Sequence, residues 1–380
     1  MPLEEDSEKL GSIRSALAIF ESMHSRCPGE AGGISLFRSS ETGSVVEQCI
    51  SSVRITMHFV DYLNPYAYAM RLRRLAYEHG WLKSWHPGIP VISVGNIVLG
   101  GTGKSPLVLY IAEYLQQKHG KRVAIVSRGY KRRSKGFVLV RDGKEILASV
   151  ESSGDEAQMF AEVLPGAIVI VDEDRVHGAR EAKALGAEVV ILDDGFQHLR
   201  LRRDLNILLM STPSPVIPFG RAREPENALR AAGFVVYKHQ RDRTDRKEKS
   251  FGIVEGVPAD LLSLELRPVP LTELKAKRVL ALSSIANPER FQEMLRQLGA
   301  DVVPYALADH ANYSEALVRK IIEKAETEHV AIIVTTSKDT VKSRKYFERA
   351  GVAIPVFVLR QQIEFLEGEE RFYSAIDSIL

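Results

Sequence analysis

The sequence predicts an α/β fold: a mainly parallel sheet covered by helices on both faces, followed by a second, smaller α/β domain. Three observations predict it. Short apolar runs alternate with helical patterns over most of the chain. The runs are continuous rather than alternating with polar residues, as in strands buried on both faces. One of them, Val91 to Gly95, leads through a glycine-rich turn into Gly103-Lys104-Ser105-Pro106, which makes the sheet P-loop-type.

That turn has the chemistry of a phosphate cradle. Gly100, Gly101 and Gly103, with Thr102 between them, keep side chains away from backbone N–H groups that would face an anion. The helix that follows adds unpaired N–H groups and its positive dipole end. Lys104 is placed to reach the β- and γ-phosphates of a nucleotide, and the Ser105 hydroxyl to ligate Mg²⁺. Pro106 fits the first helical turn, where its missing N–H costs nothing. The usual spacing wants a glycine where Val98 stands. The order of strand, glycines, lysine, hydroxyl and amphipathic helix (Leu107, Ile111, Leu115) still carries the reading.

The other elements follow along the chain. Residues 1–56 mix Gly, Ser and Glu with one weak helical pattern, Ile13 to Met23. They read as a poorly ordered extension ahead of a protein that begins near Met57. Tyr62 to Lys83 turns helical, with Leu63, Tyr66, Met70, Leu75 and Trp81 on the apolar side and Arg71, Arg73, Arg74 and Lys83 as charge. Such a helix fits either an anionic membrane interface or packing on the domain with its basic face in water; the pattern alone favours packing. Val123 to Val126, Ala167 to Val171, Val189 to Leu192, Leu205 to Met210 and Phe234 to Tyr237 read as strands, with a helix at Val176 to Leu185. A second series begins near Val279. Its strands are Val279 to Leu282, Val302 to Tyr305, Ala331 to Thr335 and Val356 to Leu359; its helices are Pro288 to Leu298, Glu315 to Glu326 and Thr340 to Ala350. The domains are therefore expected at 57–268 and 269–380.

Composition narrows the function. At 380 residues the chain can hold two cores. A net charge of +2 argues against a dedicated nucleic-acid binder. Two cysteines, Cys27 and Cys49, make neither a disulfide framework nor a metal cluster. No apolar run approaches the ~20 residues of a membrane span.

Several groups stand where parallel sheets bind ligands, beyond the carboxyl ends of strands. Asp193 and Asp194 end an apolar strand and suit Mg²⁺, although paired acids also cap helices. Gln197 and His198 continue that edge. Asp155, in Gly154-Asp155-Glu156, is either a helix cap or the carboxylate that accepts a hydroxyl proton. His310 is either a surface histidine or the group that orients such a carboxylate. Arg128 opens a cationic cluster suited to a phosphorylated substrate, or simply solvated. Arg221, Arg223 and Glu224 would clamp phosphates or pair with one another.

Taken together these motifs resemble the tetraacyldisaccharide 4′-kinases of Gram-negative bacteria, over about Tyr62 to Ser378. The resemblance rests on Val94-Gly-Asn through Lys104-Ser-Pro106, Ser127-Arg-Gly-Tyr130, Gly154-Asp-Glu156 and, most specifically, Asp193-Asp-Gly-Phe-Gln-His198. Phe219-Gly-Arg221, Arg223-Glu-Pro225, Asn287-Pro-Glu-Arg-Phe291, Asp309-His310 and Lys338-Asp339 complete it. The family shares Val98 in the loop. Ala157 and Ser337 depart from it, standing where proline and glutamate are usual. The resemblance implies ATP- and Mg²⁺-dependent phosphorylation of the 4′-hydroxyl of a lipid disaccharide 1-phosphate, a lipid A precursor, in a cleft between two α/β domains. It implies that Thr102, Lys104 and Ser105 bind ATP and Mg²⁺, that Asp193 and Asp194 serve the metal, and that Asp155 is the base, supported by His310. It implies peripheral docking of residues 62–83 on the cytoplasmic face of the inner membrane, with no protein partner. The competing function is a nucleotide-driven switch or metallochaperone-like NTPase, which needs no lipid acceptor and no Asp155–His310 pair.

Overall fold

The computed structural model describes residue 61 and residues 63–100, 103–210, 214–238 and 250–380. The expected extension, both cysteines, Gly101 and Thr102 lie outside the described residues. The chain forms two compact units; in the smaller, residues 61, 63–68 and 214–221 are described. There Asn64 caps helix α1 (Pro65–Glu78). Its side-chain oxygen accepts from the N–H groups of Tyr66 (3.0 Å) and Ala67 (3.4 Å), and its amide donates to the Ile217 carbonyl at 2.9 Å. Asp61 accepts from the Val216 N–H at 2.9 Å. An asparagine before a proline at the first helical position is a strong helix start.

The other described residues belong to the larger unit, which is built on one sheet. Its first series comprises β1 (Val91–Gly95), β2 (Val123–Ser127), β3 (Val138–Asp142), β4 (Ile168–Val171), β5 (Val189–Asp193), β6 (Leu205–Met210) and β7 (Phe234–Lys238). Helices α2 (Lys104–His119), α3 (Val150–Ser153), α4 (Asp155–Val163) and α5 (Arg175–Ala184) accompany it. The second comprises β8 (Phe251–Ser263), β9 (Pro268–Val269), β10 (Arg278–Ser283), β11 (Asp301–Ala306), β12 (Ile332–Thr336) and β13 (Val356–Glu367). Its helices are α6 (Pro288–Gln297), α7 (Glu315–Thr327), α8 (Ser337–Ala350) and α9 (Glu369–Asp377). The strand order is β11-β10-β12-β13-β8-β7-β6-β1-β5-β2-β4-β3, with β9 on β8. The pairings are parallel except β3–β4, β8–β9 and β8–β13. The sheet therefore runs unbroken past residue 268, where a domain boundary is expected.

The strands predicted from continuous apolar runs are buried on both faces. Within β2, Val123 and Ile125 pack toward Leu107, Ile111, Leu115 and Phe160, while Ala124 and Val126 pack toward Val176, Ala179 and Ala182 of α5. The second series repeats the arrangement: Val279 and Ala281 face Phe291 of α6, and Leu280 and Leu282 face Val318 and Ile321 of α7. The chain runs from β1 toward β2 on one side and returns to β6 on the other. The glycine-rich turn after β1 thus lies at a switch point of the sheet, where such folds hold ligands.

Three elements have no signal in the periodicity. Strand β8 carries Gly252, Gly256 and Pro258, and the second half of β13 is Arg-Gln-Gln-Ile-Glu-Phe-Leu-Glu. Pro258 is accommodated because the β8–β13 register shifts between Leu359 and Gln361. Helix α9 is short, and its burial rests on Phe372 and Ile376 against the core of the first series.

Phe160 is fully buried in that core. Phe160→Ala is expected to cost about 3–5 kcal/mol, seen as a lower denaturation midpoint. A loss under about 1 kcal/mol would mean that α4 is not anchored there.

Candidate active site

Helix α2 starts at Lys104 with Gly103 as its N-cap, in the left-handed region (φ 85°) and with no side-chain hydrogen bond to the helix end. The first N–H groups of α2 are thus left to an anion rather than to a cap. Val98 stands in the loop because its backbone bridges Ala222 and its side chain is buried; no glycine is needed where the chain is extended.

Lys104 reaches Asp194 at 3.4 Å and the Asn96 side-chain oxygen at 3.5 Å. Asp194 is gripped by the Arg223 guanidinium at 2.9 and 2.8 Å. Burial opposes its charge, but Arg223 and Lys104 hold its pKa at about 2. Asp193, one residue earlier, points elsewhere and accepts from the Ser127 hydroxyl at 3.0 Å. Burial pushes it up, as do the carboxylates of Glu156 and Asp194, against Lys104 and Ser127. Ser105 donates to Glu156 at 3.3 Å. These hard oxygen donors, with the charge of Asp193 disfavoured by burial and by its neighbours, match the chemistry of a divalent cation. Among the described residues no ready-made group of three ligands is present, as is common where phosphates and water complete the shell.

Asp155 opens α4. Its Oδ2 faces Nδ1 of His310 at 2.9 Å and Nζ of Lys342 at 3.5 Å. Burial alone would raise its pKa; the His310 hydrogen bond and the charges of Lys338, His310 and Lys342 outweigh that and hold it at about 2. The Lys338 ammonium lies 3.2 Å from Nε2 of His310. The carboxylate can only accept, so Nδ1 of His310 donates to Asp155. Tyr130 meets the imidazole edge-on, with centroids 5.3 Å apart. Asp194 (φ 52°) and His310 (φ 61°) both sit in the left-handed region, strain that non-glycine residues carry mainly at functional sites.

The remaining predicted residues divide. Arg128 is exposed at the end of β2. Gln197 donates to the Asn96 carbonyl at 3.0 Å. The Nε2 of His198 is buried without a partner among the described residues, and burial followed by Arg175 lowers its pKa to about 4. Arg221 lies in the smaller unit, where its N–H donates to Ser214 at 2.7 Å. Arg223 and Glu224 do not pair with each other: Arg223 takes Asp194, and Glu224 takes Arg74 of α1 at 2.6 Å. This corrects the reading of α1 as a helix with its arginines in water. Arg74 is buried against Glu224 and the Phe196 ring, and Arg73 donates to the Gln197 carbonyl at 3.1 Å. Exposed in this stretch are Leu72 and Leu75 and, beyond the helix, Trp81, Leu82 and the basic Lys83. Glu156 and Lys342 were missed by sequence reasoning. The available signal was the Lys338–Lys342 spacing of four after an apolar strand, which puts both ammoniums on one helix face.

A loop that presents an uncapped helix end to phosphates, beside a desolvated carboxylate held by imidazole, defines a P-loop-type nucleotide-dependent kinase. A family model described as tetraacyldisaccharide-1-P 4′-kinase (LpxK) matches residues 62–380, and the chain belongs to that family. It is 39% identical over 330 residues to the tetraacyldisaccharide 4′-kinase of Geobacter metallireducens, covering 83% of this chain and 96% of that one. It is 35% identical over 331 residues to that of Aquifex aeolicus, covering 83% and 97%. It also resembles the crystal structure of the "apo" form of LpxK from Aquifex aeolicus in complex with ATP, with TM-score 0.70 and 33% identity, covering 86% of this chain and 99% of that one.

The His198 environment sets a pH dependence. Its folded pKa of about 4 lies below the ordinary 6.5 of an imidazole in water. Between these values the unfolded chain binds the proton and the folded chain does not, so stability falls as pH drops through this window. His198→Gln is expected to keep more of its neutral-pH stability at pH 5 than the parent does, in paired urea titrations. Equal losses would place this imidazole in water.

Proposed function

We propose that the chain transfers the γ-phosphoryl group of ATP to the 4′-hydroxyl of a tetraacyldisaccharide 1-phosphate, a step of lipid A synthesis, on the cytoplasmic surface of the inner membrane. Family membership supports the reaction. The observation that carries the mechanism is the Asp155–His310 contact at 2.9 Å, which a nucleotide switch without an acceptor has no use for.

Gly103 leaves the first N–H groups of α2 free for the phosphates, and Lys104 neutralises developing charge. Ser105, Asp193 and Glu156 are suited to hold Mg²⁺, with Asp194 acting there through Lys104 and Arg223; the ion would supply further neutralisation of the phosphate oxygens. Asp155 accepts the hydroxyl proton. At a pKa of about 2 it is a weak base, which suits a loose transition state in which the hydroxyl keeps its proton until late. Its larger part is to fix the hydroxyl in line with the phosphorus. His310 holds the carboxylate's orientation from the far series of strands. Arg128, Gln197 and His198 are at the same sheet edge for the acceptor, and Arg221, Arg223 and Glu224 follow β6; of these, Arg223 and Glu224 act through Asp194 and Arg74.

The lipid acceptor must be met at a membrane. Among the described residues no helix is long and apolar enough to cross one. Exposed Leu72, Leu75, Trp81 and Leu82 supply an apolar surface that suits shallow insertion.

Asp155→Asn is expected to lower kcat by roughly 10²–10⁴-fold while leaving the ATP dissociation constant within a few-fold; near-parental kcat would remove Asp155 from the chemistry. Replacing Leu72 and Leu75 together with Glu is expected to release the protein from phospholipid vesicles in flotation assays, with soluble-substrate ATP binding intact. Undiminished flotation would move the docking surface elsewhere.

A further inference from the structure

Lys238 ends β7, two strands from β1 and parallel to it through β6. Its carboxyl end therefore opens on the same edge as the phosphate loop. The ammonium lies 2.5 Å from where a β-carbon on Gly103 would stand, and Cε lies 3.1 Å from the same point. Gly103 is required by its left-handed backbone, and the lysine tip lies directly over it.

Among the described residues this ammonium has no carboxylate and no hydrogen-bond acceptor. The charge that acts on it is another cation, Arg290, from the first turn of α6 in the Asn287-Pro-Glu-Arg-Phe291 motif. Burial first and Arg290 second lower its pKa to about 8. Arg290 donates to the Gly256 carbonyl at 3.4 Å and is itself partly desolvated. A lysine kept for stability alone is normally given a counter-ion, because a partly buried unpaired charge is unfavourable. A cation that covers Gly103 at the start of α2, with a second like charge acting on it, is relieved by a polyanion bound there.

We propose that Lys238 contacts the polyphosphate of the nucleoside triphosphate, as a second cation beside Lys104, and that Arg290 brings charge to it from the second series of strands. This rests on the start of α2, Gly103 to Ser105, being the nucleotide site. The two residues would join donor binding to both halves of the sheet.

The test is Lys238→Met, which keeps length and removes charge, with Lys238→Arg as the conservative variant. ATP affinity is measured by calorimetry and thermal stability without nucleotide in parallel. Expected is an ATP dissociation constant at least tenfold weaker in Lys238→Met, an unliganded melting temperature equal to or above the parent's, and recovery of most affinity in Lys238→Arg. The opposite directions matter: losing a structural lysine would lower both. ATP affinity within twofold of the parent in Lys238→Met overturns the proposal, as does a lowered unliganded melting temperature that Lys238→Arg restores without restoring affinity. A parent protein that binds no ATP overturns the nucleotide site and this proposal together.

Discussion

The Asp155 carboxylate stands on the first turn of α4, and the imidazole that holds it comes from 155 residues further along the chain. That contact is possible only because one sheet runs through both series of strands. The first series presents Asp155 at its carboxyl edge. The second presents His310 after β11, and Lys338 and Lys342 on α8. Strands β8 and β13, antiparallel to each other, hold the two series in one register. The Asp155–His310 pair exists where these edges meet, and neither series holds it alone.

Charge balance explains most of the local geometry. Asp155, Asp193 and Asp194 crowd, beside Glu156, an edge where burial disfavours the charge of these three aspartates. Two are compensated strongly: Asp194 by Arg223 and Lys104, Asp155 by His310 and two lysines. Asp193 is left under-compensated. Such a pattern separates roles without changing residue type. A well-compensated carboxylate stays charged and fixed, while an under-compensated one favours an incoming cation. The left-handed backbones at Asp194 and His310 are the conformational cost of aiming these groups.

Most of the first series was legible because β1, β2 and β4 to β7 are largely buried, so their runs needed no alternation to be seen; β3, half-buried, went unread. The phosphate loop and the paired acids were legible because their chemistry is local in sequence. The strand pair that unites the sheet was not: Gly252, Gly256 and Pro258 erase the pattern of β8, and half of β13 is polar. The site residues followed the same division. Asp155 and His310 were found as separate motifs, but their contact is a property of the tertiary fold. Arg74 was read as a surface charge because its partner, Glu224, is 150 residues away, and no periodicity reports such a pairing. Lys238 carried no motif at all; its meaning comes from a glycine it covers across two strands.

The central claim is that the site is built for an acceptor hydroxyl and not for water. It is tested most directly by incubating the protein with γ-labelled ATP and a tetraacyldisaccharide 1-phosphate in detergent micelles, and resolving the labelled products. The account predicts label on the lipid, at the 4′-oxygen, with ADP formed in equal amount and little ADP when the lipid is omitted. Label released as inorganic phosphate at a rate indifferent to the lipid would contradict it.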